Sequence, residues 1–413
     1  MKIGTKLQLA IAASLALVFV LVVMIQIAAS IVYEPEHYEN VLVLLPHTPA
    51  PTPEPNLWPE FHIPYLEDEE EEEIVCEKPR SILTGLVIEE EYIARRPVAV
   101  VINNSPDARP QSGIANADII YEVLAEGSTT RLLLVFQSDI PEKIGPVRSA
   151  RDYFVDFALN HDAFFVHHGG SPTGYQRIRS LLGINAVDGI RFEGIVFWRD
   201  RSYPEWTGIE RQRALEHSSY TGWARLTRHM ENFEVRDYIN EDPLNGFIFG
   251  EMPQNASLYQ RDVKTITVPY ARNVTTTFVY SQDTGMYYLE HIRGIWQDAL
   301  TEEHVSVANV LIQQTTIRVV DNVGRRSVET VGSGTGFLAR GGNVYRVNWQ
   351  KDDHDSPMRW YFLDGSSVVL APGRTWINVL QNTAEPIFET APAIHYEFGE
   401  TLWQPISYQA LSR

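Results

Sequence analysis

The 413-residue chain carries one cysteine, Cys76, and that scarcity removes several classes of protein at once. An internal disulfide framework, an iron–sulfur cluster and an all-cysteine zinc site each need more than one. Positive charge is also short: 34 Lys and Arg stand against 53 Asp and Glu, a formal net charge of −19. A general nucleic-acid binder displaces condensed counterions with Lys and Arg, so no nucleic-acid partner is expected. HExxH spacing and a Gly-x-Ser-x-Gly elbow are absent, and no metal or cofactor is expected. What is present is apolar: 44% hydrophobic and 11% aromatic residues, enough for a packed core.

The acid excess is concentrated. Residues 33–80 hold thirteen acids against Lys78 and Arg80, whereas 81–413 carry a net −10. From Leu7 to Val32 there is no charge at all, and only Gln8, Ser14, Gln26 and Ser30 interrupt the apolar run. As a helix those residues span about 39 Å, more than the roughly 30 Å hydrocarbon core and longer than a signal peptide's apolar region. Lys2 and Lys6 precede the span and Glu34, Glu36 and Glu39 follow it. The positive-inside rule then predicts a cytoplasmic stub over 1–6, a single transmembrane anchor over 7–32, and all later residues outside the cytoplasm. Cleavage near Ala28-Ala29-Ser30 is the alternative. Residues 33–80, with nine of the 24 prolines and the run Glu67 to Glu73, read as a disordered, self-repelling tether.

Beyond Arg80 the pattern is that of folded protein, and the expected class is α+β. Pro97–Ile102, Asp118–Leu124, Arg131–Phe136, Ala163–Val166 and Gly194–Phe197 are apolar on both faces, as strands of a covered sheet are. Ser149 to Leu159 predicts a helix with Ser149 as N-cap, and Tyr220 to Phe233 predicts another. An α/β domain is therefore expected over 81–240, with a turn-rich linker over 241–258. Short alternating runs from Val263 to Phe362, with Asp364-Gly365 as a hairpin turn, indicate a β-rich domain over 259–390 and leave 391–413 as a tail. Gly332-Ser333-Gly334-Thr335-Gly336 lacks the Lys-Ser/Thr of a phosphate loop and fits a bulged hairpin or a close backbone approach instead.

Polar residues gather in the first domain. Arg109, Gln111, Asp118, Glu122, Arg148, Ser149, Arg151 and Asp152 fall at strand ends or between strands, where α/β sheets take their ligands. Arg148 and Arg151, at the start of a helix, suit an anion; the competing reading pairs them with Asp118, Glu122 or Glu126 in a structural ion network. His167 and His168, adjacent on a strand, must face opposite ways, so at most one serves any site. Trp198, Tyr203, Trp206, Tyr220 and Trp223 alternate with arginines, a surface for sugars or peptides or else loop packing.

Arg96-Pro97-Val98-Ala99-Val100, Ala108-Arg109-Pro110-Gln111-Ser112-Gly113, Ala117-Asp118-Ile119-Ile120-Tyr121-Glu122, Glu126-Gly127 and Gly145 to Asp152 resemble the YerB-like family of bacterial lipoproteins. Gly332-Ser333-Gly334, Trp349, Lys351 and Leu370 to Ile377 resemble that family's second module. The resemblance implies an extracytoplasmic, membrane-attached protein of two modules with no established enzymatic activity. It departs at two points: no N-terminal lipid-bearing cysteine is present, and in Glu216-His217-Ser218-Ser219-Tyr220-Thr221 the family's Asn is lost while His217, Tyr220 and Thr221 are kept. The expectation is a membrane-anchored cell-envelope protein that binds an envelope glycan, an anionic ligand or an envelope protein, with His168, His217 and Tyr220 joining the arginines. An envelope hydrolase using Glu122, Asp152 or His168 is the alternative.

Overall fold

The computed structural model describes residues 78–390 apart from 184, 241–245 and 292–293, all within one compact unit spanning Val75–Arg413. The expected anchor, nearly all of the tether and the tail over 391–413 lie outside the described residues. Among the described residues no helix is long and apolar enough to cross a membrane. The architecture is α+β, with much strand and few helices.

The first module contributes β1 (Val98–Asn103), β2 (Ile119–Glu126), β3 (Thr129–Phe136), helix α1 (Asp152–Leu159), β4 (Phe164–His167), α2 (Pro172–Arg177), β5 (Ala186–Asp188) and α3 (Trp223–Asn232). The second contributes β6 (Thr265–Ala271), β7 (Val274–Ser281), β8 (Met286–His291), β9 (Asn309–Thr315), β10 (Ile317–Val319), β11 (Arg326–Val328), β12 (Gly332–Arg340), β13 (Asn343–Lys351), β14 (Arg359–Phe362), β15 (Thr375–Gln381) and β16 (Ile387–Glu389).

One eleven-stranded sheet runs through both modules among the described residues, in the order β14-β13-β12-β9-β15-β2-β3-β1-β4-β5, with Leu258–Gln260 paired to β13. The join is parallel: Ile119 to Val123 of β2 pair with Thr375 to Val379 of β15. β1, β2, β4, β5, β9 and β15 all point the same way, so their carboxyl ends share one edge. Alternate residues of each strand enter two cores. Val98, Val100, Ile120, Leu134 and Trp376 face a second, six-stranded sheet built on β6, β7 and β8, together with α3. Ala99, Val101, Tyr121, Leu133 and Ile377 face α1 and its neighbours. Helices therefore cover one face of the large sheet, and the other is shared with a sheet.

Several expectations need correction. Gly194–Phe197 is a tight turn, not a strand, with Gly194 at φ +80° and Gly194 N–H bonded to the Phe197 carbonyl. The helix expected from Ser149 begins at Asp152 with Arg151 as N-cap and no side-chain cap. Residues 145–151 are held extended because Arg148 N–H bonds Val101 O and Ala150 N–H bonds Gly169 O, which prevents an earlier helical turn. The linker's described part is built into the sheets: Ile248–Phe249 pairs with Val369–Leu370, and Leu258 begins the strand on β13. Asp364-Gly365 does turn a short antiparallel hairpin, with Tyr361 bridged to Ser367 and Val368 N–H bonded to Trp360 O, before Val369–Leu370 pairs with Ile248–Phe249. In the glycine run, a Cβ at Gly334 would lie 2.6 Å from Trp349 Nε1, and one at Gly336 would meet the Ile312 carbonyl. That run is a strand under close approach.

Candidate functional site

The sequence-predicted polar residues separate into four places. Asp118 stands alone at the amino end of β2, the far end of that strand from Glu126. Its carboxylate accepts Gln137 N–H (2.5 Å), Ser138 N–H (3.1 Å) and Ser138 Oγ (2.7 Å). Burial raises its pKa against those donors. It ties the end of β3 to the start of β2 and takes no part in the carboxyl edge.

Arg109, Gln111 and Glu122 lie between the two sheets. Glu122 Oε1 accepts Asn104 Nδ2 (3.1 Å) and Thr130 Oγ1 (2.8 Å), and Oε2 accepts Thr276 Oγ1 (2.8 Å) from β7. Gln111 Nε2 and Arg109 Nε both donate to Asn104 Oδ1, Trp296 Nε1 donates to Gln111 Oε1, and the Arg109 guanidinium lies 4.2 Å from the Trp296 ring. Burial pushes the Glu122 carboxyl up while Thr130 and Thr276 pull it down. Glu122 is buried and both its oxygens are bonded, Oε2 from the second module, so it serves as a polar joint between modules.

Arg148, His168, His217 and Tyr220 form a third group under the 193–221 loop. Arg148 donates to Glu216 O (3.1 Å), and Asn103 Nδ2 donates to His217 Nδ1 (2.7 Å). Arg199 donates to His168 Nε2 (3.0 Å), since a guanidinium has no acceptor. His168 Nδ1 must then carry the proton and donate to Ser219 Oγ (2.8 Å). Burial and Arg199 lower the His168 pKa, which keeps the ring neutral. A base that already presents N–H to the hydroxyl cannot take its proton, so this Ser–His pair is not an activated nucleophile. His167, as expected, faces the other way, stacked on Phe165 and bonded to Gly169 O (2.8 Å). Tyr220 is buried against Trp198, and Tyr203 packs between Arg211 and Arg213, so these aromatics are loop packing.

The fourth place is the carboxyl edge itself. The register slips between Leu124 and Glu126, a bulge that re-aims the strand end. Glu126 there meets two arginines: Arg131 Nη2 donates to Oε2 (2.7 Å), and Arg151 bonds Oε1. Arg131 also donates to Ser149 O (2.8 Å), which is the use the structure makes of Ser149. Both guanidiniums are nearly buried while Glu126 is about one-quarter exposed. Burial, with Arg148 adding to it, lowers Arg131 to about 10, so it stays charged at neutral pH. Around them four buried polar atoms have no protein partner: Arg151 Nε, Asp152 Oδ1, Tyr153 OH and Arg326 Nε. Burial raises Tyr153 to about 12, so its hydroxyl keeps its proton and remains a donor.

Sequence reasoning named Ser149, Arg151 and Asp152, which lie at this edge, and of Asp118, Glu122 and Glu126 it is Glu126 that pairs with Arg151. It missed Tyr153, which reads as part of an apolar helix stripe, and Arg326, which arrives from the second module more than 170 residues away. Only the Arg325-Arg326 pair after Gly324 marked that position. Among the described residues no cluster of three His, Cys, Asp or Glu is placed to hold a metal ion.

These features define a two-module α+β protein with one shared sheet and an arginine-lined carboxyl edge. Residues 83–236 match the model "Protein of unknown function (DUF3048) N-terminal domain", and 266–377 match the corresponding C-terminal domain. The chain belongs to this DUF3048, YerB-like family. It is 36% identical over 310 residues to "Putative lipoprotein YerB" of Bacillus subtilis (strain 168), covering 74% of this chain and 87% of the relative. The crystal structure of the YerB protein from Bacillus subtilis superposes with a TM-score of 0.63 at 34% identity, covering 75% of this chain and all of that one.

Proposed function

We propose that the protein is an extracytoplasmic, membrane-attached binding protein of the cell envelope whose carboxyl edge receives an anionic ligand. The attachment rests on the relative's description as a lipoprotein and on the apolar run over 7–32. The ligand chemistry rests on one observation. Two nearly buried arginines share a single, partly exposed carboxylate, and next to them the Arg151 Nε and Tyr153 hydroxyl donors are buried without partners. Unmatched buried donors cost about 1–3 kcal/mol each, and an anion seated there satisfies them with charge-assisted bonds. The site lies outside the carboxyl ends of parallel strands, where sheets of this kind take ligands.

The test is calorimetric titration of the full chain with inorganic phosphate. Binding is expected, weakened about tenfold in Tyr153→Phe, which removes one donor and keeps the ring. Arg151→Gln should abolish it. Unchanged phosphate affinity in Tyr153→Phe would overturn the reading, whatever Arg151→Gln does to folding.

A further inference from the structure

Beside this edge, at the junction of the modules, is a cavity of about 260 Å³. It opens where β2 and β15 end side by side. From that point β2 turns through a hairpin into β3, whereas β15 leads to β16 in the smaller sheet, so the two exits diverge and leave a crevice. Adjacent parallel strands with diverging exits are the recurrent place for a ligand in open sheets.

Its lining has a particular chemistry. Leu124, Ala271, Ile317, Val379 and Leu380 make apolar walls, and Arg326 is the only charged residue among the lining side chains. Each of the other two lining residues has a side-chain oxygen engaged. Tyr270 OH donates to Asn378 Oδ1 (2.8 Å), and Gln381 Oε1 accepts Ile317 N–H (2.6 Å). Arg326 is anchored by one bond, Nη2 to Gly127 O (2.9 Å), and its buried Nε is without a partner. An apolar cavity with one cation holding an unused donor discriminates by both ends of its ligand. A neutral apolar molecule leaves the guanidinium unpaired, and a small hydrophilic anion leaves the walls unfilled.

We infer that this cavity binds a small amphipathic carboxylate, with its hydrocarbon body between the ends of β2 and β15 and its head on Arg326. The inference rests on the anion-binding reading of the same edge and names the ligand class. The cavity and the Arg131–Arg151 pair nevertheless have different walls, so they can be tested apart.

The experiment titrates the full chain in lipid nanodiscs with octanoate, 1-octanol and acetate, with empty nanodiscs as blank. Octanoate is expected to bind about tenfold or more tightly than either control. Ala271→Phe, which fills the cavity, should weaken octanoate about tenfold and leave inorganic phosphate affinity unchanged, while Arg326→Gln should bring octanoate down to octanol's level. Equal affinity for octanoate and octanol, or octanoate binding indifferent to Ala271→Phe, would overturn the inference. Phosphate binding that survives Ala271→Phe while octanoate never binds leaves the edge's anion reading standing and removes the cavity's. Octanoate binding that depends on Ala271, in a chain that does not bind phosphate, does the reverse.

Discussion

Lys351 shows how a single side chain can join distant parts of the chain and register pH in doing so. It ends β13, is buried, and donates Nζ to Asn160 Oδ1 (2.6 Å) at the close of α1 and to Ser356 O. Burial lowers its pKa from 10.5 to about 8, against Asp156, Asp355 and Asp353, which raise it. The folded value lies below the unfolded one, so the fold disfavours the ammonium. That cost is fully present below pH 8, shrinks as pH rises through the window up to the ordinary lysine value, and is gone above it. It amounts to roughly 3 kcal/mol. Compared with Lys351→Met, the wild-type chain should therefore gain stability as pH rises from about 7 to about 10, read as urea midpoints. A difference between the two that is flat with pH would contradict the assignment. At this scale the sequence was partly legible. Arg151, Asp152 and Ser149 are neighbours along the chain, so their grouping needed no tertiary knowledge. Asp118 and Glu122 are close in sequence too, but lie at the strand's start and on its other face, which removes both from the arginines.

Among elements, β15 bears most on the architecture. Trp376 is fully buried on it, with its ring edge-on to Phe278 of β7 at 5.9 Å and to Trp296 at 5.4 Å. The strand therefore pairs within the large sheet, while Trp376, and Asn378 through Tyr270, reach the small one. Truncation to Trp376→Ala removes both ring contacts and leaves a cavity, a loss of about 3–5 kcal/mol expected in equilibrium urea unfolding. Most strands of both modules were readable from their apolar runs and alternation. The start of α1 was not: Ser149 and Asp152 have the residue types of a capping box, yet the bonds from Arg148 to Val101 and from Ala150 to Gly169 keep that stretch extended. A local signal lost to long-range backbone pairing. In the 332–336 run the outcome was the opposite, because glycine there answers a close approach that its spacing already suggested.

At the scale of the whole molecule, the two modules are one sheet. β2 pairs with β15 over five residues and Glu122 binds Thr276 across the sheets, so neither module can unfold and leave the other's edge covered. Calorimetry of the described unit should show one transition, and a fragment ending near residue 240 should aggregate through the uncovered edge of β2. Two separate transitions would contradict this. The amino-acid sequence by itself determined the local matters: the segregation of charge, which leaves only −10 on the 333 residues after Arg80, the strand runs, and the group Ser149 to Asp152. These follow from periodicity and composition, which act over a few residues. The tertiary structure alone decided that β2 and β15 are neighbours, that a cavity opens between them, and that Arg326 reaches the Gly127 carbonyl of the first module. Those facts depend on pairing between segments some 250 residues apart, and no local pattern records which strand edge another will choose.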